Sequence, residues 1–123
     1  MIIAAGASPF YVNLIARNNL NSSRNGFVST LRKAQTYAIS GKDNAVWGVC
    51  VSGSNIRLFG GTCGVPSRKE EIGIPSDVTV GGFSTVTFTS SRGEPSTAFT
   101  FTLSNQAGTK TIIINQTGNV SAN

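Results

Sequence analysis

Histidine is absent from this chain. That removes the commonest general base and the commonest metal ligand. Charge is also scarce, with 12% Asp, Glu, Lys and Arg against a usual share of about 25%. Acidic residues are the scarcer sign, five against ten basic ones. Neither a GxGxxG turn nor a Walker loop occurs, and no Ser-His-Asp set is possible. The only cysteines, Cys50 and Cys63, fit no CxxC zinc or redox signature. Glu70 and Glu71 are adjacent, would point apart in a strand, and read beside Arg68 and Lys69 as a solvated loop. Nothing pairs Glu94 with Asp77. The expectation is therefore a protein that is not an enzyme, with no cofactor, no metal and no small-molecule substrate. Long apolar runs are missing too. The opening stretch through Ala16 falls short of the roughly 20 residues that span a bilayer, and it lacks the charged start and cleavage box of a secretory signal.

What is present suits one domain of 123 residues with a modest core, 39% of the residues being apolar. Thr, Ser, Asn and Gly must supply most of the surface, as in many secreted β-rich proteins. The net charge of +5 is unevenly placed. Arg17, Arg24, Arg32, Lys33 and Lys42 stand in residues 1–42 with no Asp or Glu, whereas the remainder is neutral. A basic first third suits either a solvated helix face whose cations meet acidic neighbours in an assembly, or a polyanion contact. Aromatic interleaving for single-stranded nucleic acid is poor. Cys50 and Cys63 read as a disulfide or as two buried thiols. The bridge is the expectation, closing a short loop for about 3 kcal/mol and implying an oxidising compartment.

Along the chain, Phe10, Leu14, Leu20, Phe27, Leu31, Ala34, Ala38 and Ile39 recur mostly at three- and four-residue steps. That spacing predicts a helix from Pro9 to Ser40, about 48 Å long, with Gly41 as its left-handed cap. A small domain cannot cover such a length, so one end is expected to protrude. After Lys42 come strands and turns. "AVWGVCVSG" and "NIRLFGG" form a hairpin about Gly53-Ser54. "TCGVPSRKEEIGIPSD" reads as a long irregular loop. "DVTV", "STVTFTS", "AFTFTLS" and "KTIIINQTG" read as strands, with Val86, Phe88, Phe99, Phe101 and Leu103 facing a core. The fold class is α+β, a long N-terminal helix packed on antiparallel sheet. Residues 1–41 form the helix and 42–123 a β-rich head, which makes one domain with the second half of the helix.

"IIAAGASPFYVNLIARNNLNSSRNGFVSTLRKAQTYAISG" resembles the N-terminal helix of a type IV pilin-like protein entered partway along: small and apolar residues, a proline, then an amphipathic half. "FVSTLRKAQTYAISG" and the closing strands "VTFTSSRGEPSTAFTFTLSNQAGTKTIIINQTGNVS" are similar to the GspH/FimT group of minor pilins and pseudopilins. The resemblance implies a structural subunit of a type IV pilus or type II secretion pseudopilus. Its leader would be trimmed and its new N-terminus methylated. Its partners would be other pilin or pseudopilin subunits, with the inner membrane before assembly. Its head would lie in the periplasm or on a cell-surface filament. The chain would then be truncated, its native start falling roughly 13 residues upstream by the position of Pro9.

On that resemblance Ile2, Ile3, Ala4, Ala5, Gly6, Ala7, Pro9 and Phe10 belong to the assembly and membrane part of the helix. Leu14, Leu20, Phe27, Leu31, Ala34 and Ile39 form its seam against the head. Some members of the group bind DNA through a basic motif near the C-terminus. The matching stretch here, Gly118 to Ser121, reads "GNVS" with neither arginine. DNA uptake remains the alternative function, with Arg57, Arg68, Lys69, Arg92 and Lys110 as its candidate contacts.

Overall fold

The computed structural model describes residues 2–42, 45–89 and 92–122, with side chains from residue 14 onward. The elements in order are α1 (Ile2–Ser40), β1 (Trp47–Ser52), β2 (Asn55–Gly61), β3 (Pro66–Gly73), β4 (Thr79–Gly81), β5 (Val86–Phe88), β6 (Phe99–Asn105), β7 (Gly108–Ile114) and β8 (Val120–Ala122). The strands form two antiparallel four-stranded sheets, ordered β3-β2-β1-β5 and β4-β6-β7-β8. The helix packs on both.

Helix α1 begins before the expected position, so Pro9 lies inside it. Its 39 residues amount to about 58 Å at 1.5 Å per residue. The longest strand, β3, spans only about 26 Å at 3.3 Å per residue. Helix and sheets therefore cannot be coextensive. The helix stops at Gly41, whose φ of 68° is left-handed and whose N–H donates to Ala38 O at 3.2 Å. The side-chain stripe against the head is Ala16, Leu20, Ser23, Phe27, Thr30, Leu31, Ala34 and Ala38, all buried, at the three- and four-residue steps of one helix face. Leu14 and Ile39, expected in that seam, are instead 53% and 50% exposed. Leu14 precedes the first buried position of the stripe, and Ile39 lies over Gly93 at the rim.

Facing this stripe are Trp47, Val49, Ile56 and Leu58 from the first sheet and Phe101, Leu103, Ile112 and Ile114 from the second, with Val86 and Phe88 from β5. Phe27 sits between the sheets, its ring centroid 5.1 Å from Phe101 and 5.4 Å from Phe83. Phe99 is only half-buried at the edge of this cluster.

The β1–β2 hairpin turns at Gly53 and Ser54 as expected, with Ser52 opposite Asn55. The segment around Arg68 to Ile72 corrects the sequence reading. It is not a loop but β3, paired along β2 from Asn55↔Gly73 to Gly61↔Pro66 with a bulge at Gly60/Gly61. Its residues are almost all exposed, because it is the outer strand of its sheet and needs only one hydrogen-bonding neighbour. Charged side chains on such a strand discourage edge-to-edge association.

The disulfide Cys50–Cys63 is present, with a Cα–Cα distance of 6.4 Å. It fastens the connection between β2 and β3 to β1 on the face turned away from the helix. Gln35 closes the other end of the head: its Nε2 donates to Gly93 O at 2.9 Å and to Gly118 O at 3.1 Å.

Candidate assembly and docking surfaces

The start of the described helix face carries two exposed large apolar side chains, Leu14 and Ile15. They adjoin the point where the head begins to grip the helix. Asn105 Nδ2 donates to Ala16 O at 2.7 Å and to Asp77 Oδ2 at 3.2 Å, and Asn19 Nδ2 donates to Asp77 Oδ1 at 3.1 Å. This clamp ties the β6–β7 turn and the segment before β4 to one helical level. The side chains of Ile2, Ile3, Ala4, Ala5, Ala7, Pro9 and Phe10 lie outside the described side chains, and Gly6 stands among these residues on α1. No helix among the described residues is long and apolar enough to cross a membrane.

The cations named as candidate DNA contacts are spread over separate elements. Arg57 lies on β2, Arg68 and Lys69 on β3, Arg92 in the turn after β5 and Lys110 on β7 in the other sheet. Arg57 and Lys69 do converge, but on a carboxylate: their nitrogens lie 3.5 Å and 3.4 Å from Glu71 Oε2. Arg57 also donates from Nη1 to Cys63 O at 2.7 Å. Asn55 Nδ2 donates to Glu71 Oε1 at 3.0 Å, and this hydrogen bond, with the nearby cations, holds the Glu71 carboxyl below its ordinary range. Glu70 forms an ion pair and hydrogen bond with Lys33 of the helix, which raises the Lys33 ammonium above its ordinary value. The two glutamates therefore pin β3 to β2 and to α1. Both stay exposed, as a solvated pair would, but on a strand and not in a loop.

Lys42 adopts a comparable structural role. Its Nζ lies 3.9 Å from the Tyr37 ring centroid, and its carbonyl accepts from Trp47 Nε1 at 2.8 Å. Of the basic first third, Lys33 and Lys42 thus serve the fold.

Arg24 and Arg32 are placed differently. With Asn25, Val28, Ser29, Val120, Ser121 and Ala122 they line an open groove of about 660 Å³ between α1 and β8. Arg32 Nη2 reaches Val120 O at 3.4 Å. No carboxylate is among the described residues that line this groove, and Arg24 donates from Nε and Nη2 to Asn25 Oδ1 at 3.3 Å and 3.2 Å. The sequence marks both arginines as lying off the core stripe. It does not reveal the groove, because β8 is a three-residue strand whose place beside the helix depends on the whole second sheet. Asn19, Gln35 and Asn105, which hold helix to head, also escaped the sequence reading. Short polar side chains in so Asn- and Ser-rich a chain carry no distinguishing signal.

Among protein-family models, that of the type II transport protein GspH matches residues 23–118 of this chain. Comparison with the curated proteins and with the solved structures found no match.

Proposed function

The chain belongs to the type II transport protein GspH family, and on that premise we propose that it is a minor pseudopilin whose work is assembly. Family membership supports a pseudopilin or minor-pilin role in type II secretion and association with other pseudopilin subunits. The finer reading assigns the helix up to Phe10 to contact with neighbouring subunits, and to the inner membrane before assembly. Trimming of a leader and methylation of the new N-terminus belong to that reading, as does a periplasmic head. The domain division follows from it: residues 1–41 supply the helix, and its second half is part of the core of a head formed by 42–123.

The observation that carries this reading is the pair of uncovered apolar side chains, Leu14 53% and Ile15 41% exposed. They follow the small-residue stretch Ala4, Ala5, Gly6, Ala7 and Ser8 along the same helix, with residues 9–13 between. Small residues let helix backbones approach closely, and apolar side chains left in water favour association. The test is the double variant Leu14→Glu, Ile15→Glu in the full chain. Both side chains lie outside the core, so the head should melt at an unchanged temperature while the subunit disappears from sheared filaments. Undiminished incorporation would overturn the reading.

A further inference from the structure

The outer face of the first sheet carries the disulfide, and the strand register places a guanidinium beside it. Cys50 of β1 stands directly opposite Arg57 of β2. Directly opposed residues share a sheet face, with Cβ atoms about 4.5–5.5 Å apart. Arg57 also holds the other half of the bridge, donating from Nη1 to Cys63 O at 2.7 Å, while its Nη2 lies 3.5 Å from Glu71 Oε2. The third nitrogen, Nε, is buried and has no acceptor among the described residues. A buried donor left without an acceptor is costly. A disulfide sulfur beside it accepts only weakly, whereas a thiolate there would accept a charge-assisted hydrogen bond. The two cysteines also differ in access. Cys50 is 1% exposed, but Cys63 is half-buried in a turn between exposed Thr62 and Gly64.

We propose that Cys50–Cys63 is an exchangeable disulfide of fixed polarity: the thiolate of an outside protein dithiol enters at Cys63, and Cys50 leaves as a thiolate held by Arg57. In the first step a bond forms between the incoming sulfur and Cys63 Sγ. The Cys50–Cys63 bond breaks, and its electron pair passes to Cys50 Sγ. The second thiolate of the dithiol then attacks the incoming sulfur. The dithiol is thereby oxidised to a disulfide, and Cys63 departs with the electron pair and takes a proton from water. A disulfide-bearing partner reverses the sequence and restores the bridge. Exchange is governed by access to the attacked sulfur and by the ease with which the other leaves. Access selects Cys63. Departure of Cys50 needs a cation, because apolar burial, here beside Phe59, disfavours a thiolate. The charged side chains on this face are Arg57 from β2 and Lys69 and Glu71 from β3. The facing positions of β1 and β5, Gly48, Ser52 and Thr87, carry no charge, nor does the turn from Thr62 to Val65. Glu71 takes Lys69 and the Arg57 Nη2, so the Arg57 Nε is the donor that remains for Cys50.

This polarity needs only the head and holds whether or not the chain is a pseudopilin. Its test begins with the oxidised full chain, exposed briefly to reduced glutathione, quenched in acid and peptide-mapped. Glutathione should sit on Cys63 about tenfold or more in excess over Cys50. Reduction of the folded chain by dithiothreitol should slow about tenfold in Arg57→Gln and recover in Arg57→Lys. A merely structural Arg57 gives the opposite sign, because losing its hold on Cys63 O loosens the turn and speeds attack. In Cys63→Ser, the Cys50 thiolate, followed by its ultraviolet absorbance, should form about one pH unit or more below its position in Cys63→Ser with Arg57→Gln. Glutathione on Cys50, or equally on both cysteines, would overturn the proposal. So would unchanged or faster reduction of Arg57→Gln, equal titration of Cys50 in the two serine variants, or a folded chain that neither reagent reduces. The mapping uses no substitution, so it decides even where Arg57→Gln fails to fold.

Discussion

Gly48 of β1 stands directly opposite Phe59 of β2, and the ring uses the space a side chain would take. A Cβ on residue 48 would lie 2.8 Å from Phe59 Cζ and 2.4 Å from Val86 O. Phe59 is 1% exposed although it is not part of the cluster around the helix. It belongs with Cys50 to a small second core on the outer face of the first sheet. Gly48→Ala should therefore lower stability by about 1–3 kcal/mol, the cost of overpacking, read as a fall in the urea midpoint. An unchanged midpoint would mean that β5 can move away from β1 freely.

Gly26 is the opposite case. It lies inside α1, and a Cβ there would meet Ile56 Cδ1 at 3.6 Å and Ile72 Cγ2 at 3.9 Å, ordinary contact distances. Gly26→Ala should raise stability by about 0.5–1 kcal/mol through helix propensity alone. A loss in the same urea titration would show that the helix meets β2 and β3 more tightly than these distances indicate.

The disulfide joins β1 to the segment after β2 across 13 positions. Replacing both cysteines by serine should cost about 3 kcal/mol by the loop-closure argument. The same loss should appear when the unaltered chain is reduced, and reductant should not affect the double variant. Equal stability of the oxidised and reduced forms would contradict a structural role.

Glu71 gives the first sheet a pH dependence of definite sign. Its carboxyl is held below the ordinary value of 4.5 by the Asn55 hydrogen bond and nearby Lys69 and Arg57. The stability it contributes is present above that ordinary value and is lost as pH falls through the lower, folded value. The melting temperature of the unaltered chain should thus exceed that of Glu71→Gln at pH 6, with the gap closing as pH falls below 4.5. A gap independent of pH would assign Glu71 a packing role instead. Lys33 acts at the other extreme. Its raised pKa contributes stability present below 10.5 that is lost as pH rises through the folded value.

Where packing is periodic, the sequence reading and the structure agree. Phe27, Leu31 and Ala34 keep helical spacing because one face meets the sheets. Val86 with Phe88, and Phe101 with Leu103, alternate because one strand face meets the helix. β3 left no such trace. An outer strand solvated along most of its length needs no apolar alternation, so "SRKEEIG" looks like a loop until β2 is seen to pair with it. Leu14 and Ile39 fit the helical period equally well, yet periodicity cannot tell where the sheets end. The groove that Arg24 and Arg32 line beside β8 depends on the placement of that strand, which follows from two consecutive hairpins.

The central claim is that this helix works against other pilin-like subunits. A photo-reactive amino acid placed at Leu14, in cells making the full chain with its secretion machinery, tests it most directly, with the same group at exposed Ile113 of β7 as the control. The account expects an ultraviolet-dependent adduct with another pilin-like subunit from position 14 and none from position 113. No adduct with such a subunit from position 14, or equal adducts from both positions, would contradict it.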